Sequence, residues 1–350
     1  MTKIGDYELL TDFTTVGGGQ CRWAFAERGG EEFFLKEFLS PTYPLPTSPG
    51  SEATKQKKLK RCRAFEHHHE SIMSALKGLA APGGNLIIAH KFFLHGTHYY
   101  KVTDRINVSS VPVDMVHTLD EKHRILVAMT AAHSVQLLHR VDLVHGDIKP
   151  PNVLLKETAR RAYAAKLIDF DNAYFSGRPA PPEDLVGDPA YYSPETLQYV
   201  EGKIDGNQLG TSSDIFALGI LYNEYFIGAK PKFGDAKSVA LGILNGRSYT
   251  TGLERSWSSV DKLIRRMLRK DPSKRPDIAR VISDLKVIRD TPRTAPEEGI
   301  PSGSRLRGKG LQSLPVPADS APPSSAGPPV SSTESRLRGS LTRRTYRGKH

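Results

Sequence analysis

Two short polar runs limit this chain more than any other feature: HGDIKPPNVLL at 145–155 and LIDFD at 167–171. Asp147, Lys149 and Asn152 fall within six residues of one another, and Asp169 follows seventeen residues after Asn152. Several charged and amide groups inside apolar strands and turns rarely serve packing alone, because burying them is costly unless they are paired or chemically used. Asp147, Lys149, Asn152 and Asp169 are therefore the first candidates for a functional site.

The flanking sequence divides in two. Residues 7–38 alternate strand-like and Gly-rich segments and read as a β-meander. A Pro/Ser-rich loop at 40–55 leads into a helix over about 56–79, with Cys62, Phe65, Ile72, Met73 and Leu76 at helical spacing. NLIIAHKFFLHG and THYYKVTDR predict two further strands, and helical patterns dominate from residue 121 to about 287. The expected organisation is a β-rich lobe at 1–104, a helical lobe at 105–290, and a Pro/Ser/Gly/Arg-rich tail at 291–350 too poor in large apolar residues to fold. The tail carries ten Lys/Arg against four Asp/Glu, so +6 of the net charge of +11 sits there and +5 on the other 290 residues. It repeats SRLRG at 304–308 and 335–339, and Ser304, Ser335, Ser340, Thr342 and Thr345 are its candidate modification sites. No apolar run approaches the ~18 residues of a membrane span, and the first residues lack the pattern of a secretory signal. With only Cys21 and Cys62, neither a disulfide framework nor a zinc site is expected. A cytoplasmic location with no membrane anchor follows as an expectation, and specific nucleic-acid binding is not expected.

Phosphoryl transfer needs carboxylate and amide oxygens for a divalent metal, a carboxylate beside the acceptor hydroxyl and a cation on the moving phosphate. The four polar residues supply that set. In this order they resemble the eukaryotic-type (Hanks-type) serine/threonine protein kinases, whose HRDLKxxN and DFG patterns appear here as HGDIKPPN and DFD. GDPAYYSPE at 187–195, SSDIFALGILYNEYF at 212–226 and RMLRKDPSKRP at 266–276 resemble three further motifs of that family, and the likeness runs from about residue 7 to 288.

The resemblance implies an α+β, two-lobed protein-kinase-like fold with ATP and Mg²⁺ or Mn²⁺ in the cleft between the lobes. By position, Asp147 looks like the base that orients the acceptor hydroxyl, Lys149 like the cation on the γ-phosphate, and Asn152 and Asp169 like the metal ligands. Lys36 looks like the strand lysine that grips the α- and β-phosphates. Val16, Gly17, Gly18 and Gly19 resemble an imperfect glycine loop over the phosphates, with Arg22 as a further charge toward them. Thr103 and Asp104 stand where the family lines the adenine site. The helix glutamate that pairs with the strand lysine has two candidates, Glu66 and Glu70, while helical spacing puts His69 at its usual place. Glu195 and Arg275 are expected to form a buried ion pair. Lys149 favours serine/threonine over tyrosine acceptors. Implied partners are protein substrates, including this chain's own tail.

Four departures qualify the likeness. Gly146 replaces the arginine that reads a phosphate on the segment after Asp169, which predicts activity without phosphorylation there. Asp171 replaces the glycine of DFG, Asp188 replaces a threonine near the catalytic aspartate, and Phe34 replaces a small residue against the adenine. HGD, DFD and GDP also resemble aminoglycoside- and choline-type small-molecule phosphotransferases, and the loss of the third glycine admits a nucleotide-binding scaffold without catalysis.

Overall fold

The computed structural model describes residues 2–16, 21–79, 84–106, 111–158 and 162–291. These described residues all belong to one compact unit. The expectations for Gly17, Gly18, Gly19 and the tail beyond Thr291 lie outside the described residues.

Six strands form one antiparallel sheet in the order β1-β2-β3-β4-β6-β5: β1 (Lys3–Ile4), β2 (Tyr7–Leu9), β3 (Cys21–Arg28), β4 (Glu31–Phe38), β5 (Lys91–His95) and β6 (His98–Asp104). Alternation decides what each face carries. In β4, Phe33 and Leu35 enter a core with Tyr7, Ala26, Tyr100 and Val102, so Phe34 and Lys36 point the other way. Register places Trp23 beside Lys36, Phe25 beside Phe34, Thr103 beside Phe34 and Lys101 beside Lys36, which gathers all six on that second face. Between β4 and β5 runs α1 (Glu52–Lys77), capped by the Ser51 side chain on the Thr54 amide and burying Cys62, His69, Ile72 and Leu76. The Pro/Ser-rich segment before it is fastened at both sides. The Tyr43 amide donates to Thr97 O at the β5–β6 turn, and the Lys55 ammonium donates to Pro46 O.

The rest is mainly helical: α2 (Glu121–His139), β7 (Leu143–Val144), the hairpin β8 (Val153–Glu157) and β9 (Tyr163–Leu167), β10 (Tyr174–Phe175), α3 (Pro194–Val200), α4 (Ser212–Ile227), α5 (Val239–Leu244), α6 (Ser258–Met267) and α7 (Ile278–Asp290). The apolar stretch of α4 is buried almost throughout, and α2, α6 and α7 contribute to the same core. NLIIA, expected to begin a strand, instead makes a single parallel bridge from Leu86 to Leu167, joining the linker after α1 to β9.

Candidate active site

The β8–β9 hairpin explains the seventeen-residue spacing. Val153 pairs with Leu167, so Asn152 precedes one strand and Asp169 follows the other, and the Ile168 amide donates to Asn152 O at 3.1 Å. A cleft of about 1070 Å³ lies between the sheet, α1 and this hairpin, lined among others by Lys36, Asp147, Lys149, Asn152 and Asp169.

Asp147 is buried, and its carboxylate is held from several sides: Lys149 Nζ lies 2.9 Å from Oδ2, and Asn152 Nδ2 donates to Oδ2 at 2.9 Å and to the Asp147 carbonyl at 2.7 Å. The loop beneath is fixed by Asp214 in the first turn of α4. Its carboxylate accepts the His145 amide at 2.8 Å and the Gly146 amide at 3.1 Å and lies 3.0 Å from His139 Nε2. Gly146 adopts φ +76°, a conformation natural to glycine. Tyr192 packs beside this centre, its hydroxyl pushed up to about 12 by burial and by the charges of Asp147 and Asp188.

Across the cleft, Lys36 Nζ donates to Asp169 Oδ1 at 2.8 Å and Oδ2 at 2.9 Å and lies 2.7 Å from Asp171 Oδ2. Asp169 sits at φ +63°, a left-handed conformation that costs an aspartate of order 1–3 kcal/mol unless its surroundings hold it. The lysine pair supplies that hold. Asp171 also takes the Lys101 ammonium, which is hydrogen-bonded to His69 Nδ1 at 3.0 Å. Burial opposes the Asp171 charge, but Lys101 and Lys36 beside it keep its carboxyl well below the usual range. Burial likewise opposes the Lys36 charge, and Asp171 and Asp169 hold the ammonium above its ordinary value. Burial and the Asp171 charge together raise Asp169.

Neither helix glutamate is the partner of Lys36 in this structure. Glu66 accepts the Tyr99 hydroxyl at 2.8 Å, and Glu70 is exposed. His69 occupies the inward position on α1, among Phe38, Phe65 and Phe92. A cation at Lys36 meets its carboxylates from the hairpin side instead. Arg22, expected to face phosphate, is a bidentate partner of Glu37 at 2.9 Å for both bonds. Val16 is exposed, and its carbonyl accepts the Trp23 indole N–H. Thr103 and Asp104 line the cleft, where Trp23, Phe25 and Phe34 form an aromatic roof, with the Trp23 and Phe34 rings stacked at 5.3 Å. Burial pushes the Cys21 thiol up to about 11, which keeps it protonated. The Glu195–Arg275 pair is present, bidentate at 2.6 and 2.7 Å and buried.

Sequence reasoning missed Lys101, His69 as its acceptor, Asp171 as a partner of Lys36, and Asp214. The available signal for Lys101 was a lysine set between Tyr99-Tyr100 and Val102 inside a strand.

A two-lobed fold with a lysine on its sheet and an aspartate-asparagine-aspartate set on a loop and hairpin defines a phosphotransferase class. Comparison with known proteins narrows it: residues 51–285 match the protein kinase domain family. The chain belongs to that family, whose members use ATP and a divalent metal. It is similar to serine/threonine-protein kinases of Corynebacterium efficiens (31% identical over 176 residues, 48% of this chain and 32% of the relative), Corynebacterium glutamicum (33% over 148 residues, 41% and 29%) and Streptomyces coelicolor (31% over 169 residues, 47% and 29%). The matched stretch thus spans about a third of each relative's length. No helix among the described residues is long and apolar enough to cross a membrane.

Proposed function

We propose that this protein transfers the γ-phosphate of ATP to serine or threonine hydroxyls of proteins, its own tail included, in the cytoplasm. The observation that carries this reading is the Asp147 carboxylate, buried and held by Lys149 and Asn152 on the wall of the cleft that Lys36 also lines. An acceptor hydroxyl beside Asp147 would be oriented by it and give up its proton there as the oxygen bonds to phosphorus and ADP departs. Lys149 would offset charge on the moving phosphoryl group, and Lys36 would position the α- and β-phosphates.

The donor set suits Mg²⁺. Asn152 spends its amide N–H groups on Asp147, which leaves its amide oxygen for other partners, and Asp169 offers a carboxylate. One or two protein oxygens completed by phosphate oxygens is the arrangement this ion favours. Bound there, the ion would neutralise the charge of the β- and γ-phosphates.

Activity without phosphorylation of the segment after Asp169 belongs to the same reading. That segment is anchored by unmodified groups: Ser176 N on Asp142 O, Gly177 N on Leu209 O, and the Tyr191 hydroxyl on Glu224 at 2.8 Å. The test is transfer from labelled ATP with Mg²⁺ to generic protein substrates and to the chain itself, comparing wild type with Asp147→Asn. Serine or threonine label that is lost in the variant, from protein whose 169–195 segment is unphosphorylated by mass spectrometry, is expected. ATP binding without protein label would favour a small-molecule phosphotransferase or a scaffold.

A further inference from the structure

Lys36 and Lys101 are direct neighbours across β4 and β6 on the same buried face. Like charges so placed repel unless carboxylates come between them. Asp171 does so, with Oδ1 on Lys101 and Oδ2 2.7 Å from Lys36. The Lys36 hydrogen bonds, however, go to Asp169, while Asp171 Oδ2 is buried and accepts no hydrogen bond among the described residues. The cleft thus holds one carboxylate hydrogen-bonded to Lys36 and a second that meets the same ammonium as an ion pair.

Building on the kinase reading above, in which Asp169 turns its oxygens to a metal, Lys36 must then be held by Asp171 alone or swing free. We propose that Asp171 and Lys101 are positioning residues for Lys36: Lys101, held by His69, locks Asp171 so that its second oxygen keeps Lys36 in place when Asp169 is engaged elsewhere. The chain needs no helix glutamate for this task. His69 suits it better, since its unprotonated Nδ1 accepts from Lys101 where a carboxylate would compete with Asp171. The anchor comes from the same short segment as Asp169, so the lysine grip is set by the hairpin and the sheet.

The full chain is compared with Asp171→Asn, Lys101→Met and Lys101→Arg, with thermal melting to show that each is folded. Two readouts are used: steady-state transfer with varied ATP, and the acylation rate of Lys36 by an amine-reactive ester, followed by mass spectrometry without nucleotide and on an Asp169→Asn background, where the Asp169 carboxylate no longer holds the lysine. Asp171→Asn and Lys101→Met are each expected to lower kcat by about 10-fold or more with a much smaller change in KM for ATP, while Lys101→Arg recovers most of the rate. Lys36 acylation should rise several-fold in the first two variants. On a Lys36→Met background Asp171→Asn should add no further loss, because it acts through Lys36. A lysine that only neutralised a buried charge would instead be rescued by combining Lys101→Met with Asp171→Asn, and that rescue overturns the proposal. So does unchanged Lys36 acylation in a folded Asp171→Asn protein. Should wild type transfer no phosphate to protein, the proposed function fails while the acylation readout still decides this inference.

Discussion

A Cβ at position 146 would lie 2.7 Å from the Asn172 carbonyl oxygen and 3.2 Å from the Tyr174 ring, and the backbone there is left-handed at φ +76°. Any other residue carries about 1–2 kcal/mol for that conformation and must also push the Asn172 backbone aside. Gly146→Ala is therefore expected to lower stability by about 2 kcal/mol or more in urea unfolding. It should also slow transfer, since Asp147 is the next residue. Wild-type stability in the alanine variant would show that the loop relaxes freely. Replacing Gly146 by arginine carries the same backbone cost, so it is not expected to install a working phosphate receptor. The absence of arginine could be seen in the motif, whereas its steric lock could not, because the Asn172 carbonyl arrives through the turn after Asp169. The same limit applies to Lys36. Helical spacing identified the inward position of His69, but Lys101 and Asp171 reach it through sheet register and a 3₁₀ turn at Phe170–Asn172, neither of which is local in sequence.

The loop that carries Asp147 is held from the start of α4 as well as by its own residues. Asp214 is 1% exposed and accepts two backbone amides, an arrangement that fixes the main chain just before Asp147. Asp214→Asn keeps the shape but turns one acceptor into a donor facing those amides, so a stability loss of about 1–3 kcal/mol is expected. Misplacing the loop by a fraction of an ångström should lower kcat by up to about 100-fold while ATP affinity, read by calorimetry, changes little. Equal losses in both would mean that Asp214 supports the whole cleft. At this level much was visible beforehand. The β-to-helix division and the large-lobe helices followed from apolar periodicity, and the Glu195–Arg275 pair from motif likeness. What escaped was the start of α1 at Glu52, fixed by the Ser51 cap inside a segment whose prolines read as loop, and the fate of NLIIA, whose apolar run serves a bridge to β9. Short apolar runs do not reveal which neighbour will cover them.

Lysines from the sheet meet aspartates from the hairpin, so the charges that join the two lobes also tie their association to pH. His69 stands at that junction, 1% exposed, with Lys101 at its Nδ1. Burial first, then the charges of Lys101, His68 and Lys36, hold its imidazole well below the ordinary 6.5, with Asp171 opposing. The unfolded chain takes up a proton on this residue as pH falls through 6.5 and the folded chain does not, so the stability contributed by neutral His69 is complete above 6.5 and shrinks below it. Asp171 has the same sign but acts lower: its contribution is complete above 3.8 and is lost as pH falls toward its depressed folded value. Asp169, raised in the folded state, works in the opposite direction, so it cannot be the source of an acid loss between pH 6.5 and 5. Urea midpoints are therefore expected to fall from pH 7 to pH 5, and His69→Phe should remove up to about 1.4 kcal/mol per pH unit of that slope. His68, lowered by burial in the same way, would account for part of what remains. If the phenylalanine variant keeps the full wild-type slope, His69 takes up its proton in the folded protein as readily as in the unfolded chain, and once protonated there it cannot accept from Lys101. The positioning of Asp171 would then have to be explained without it.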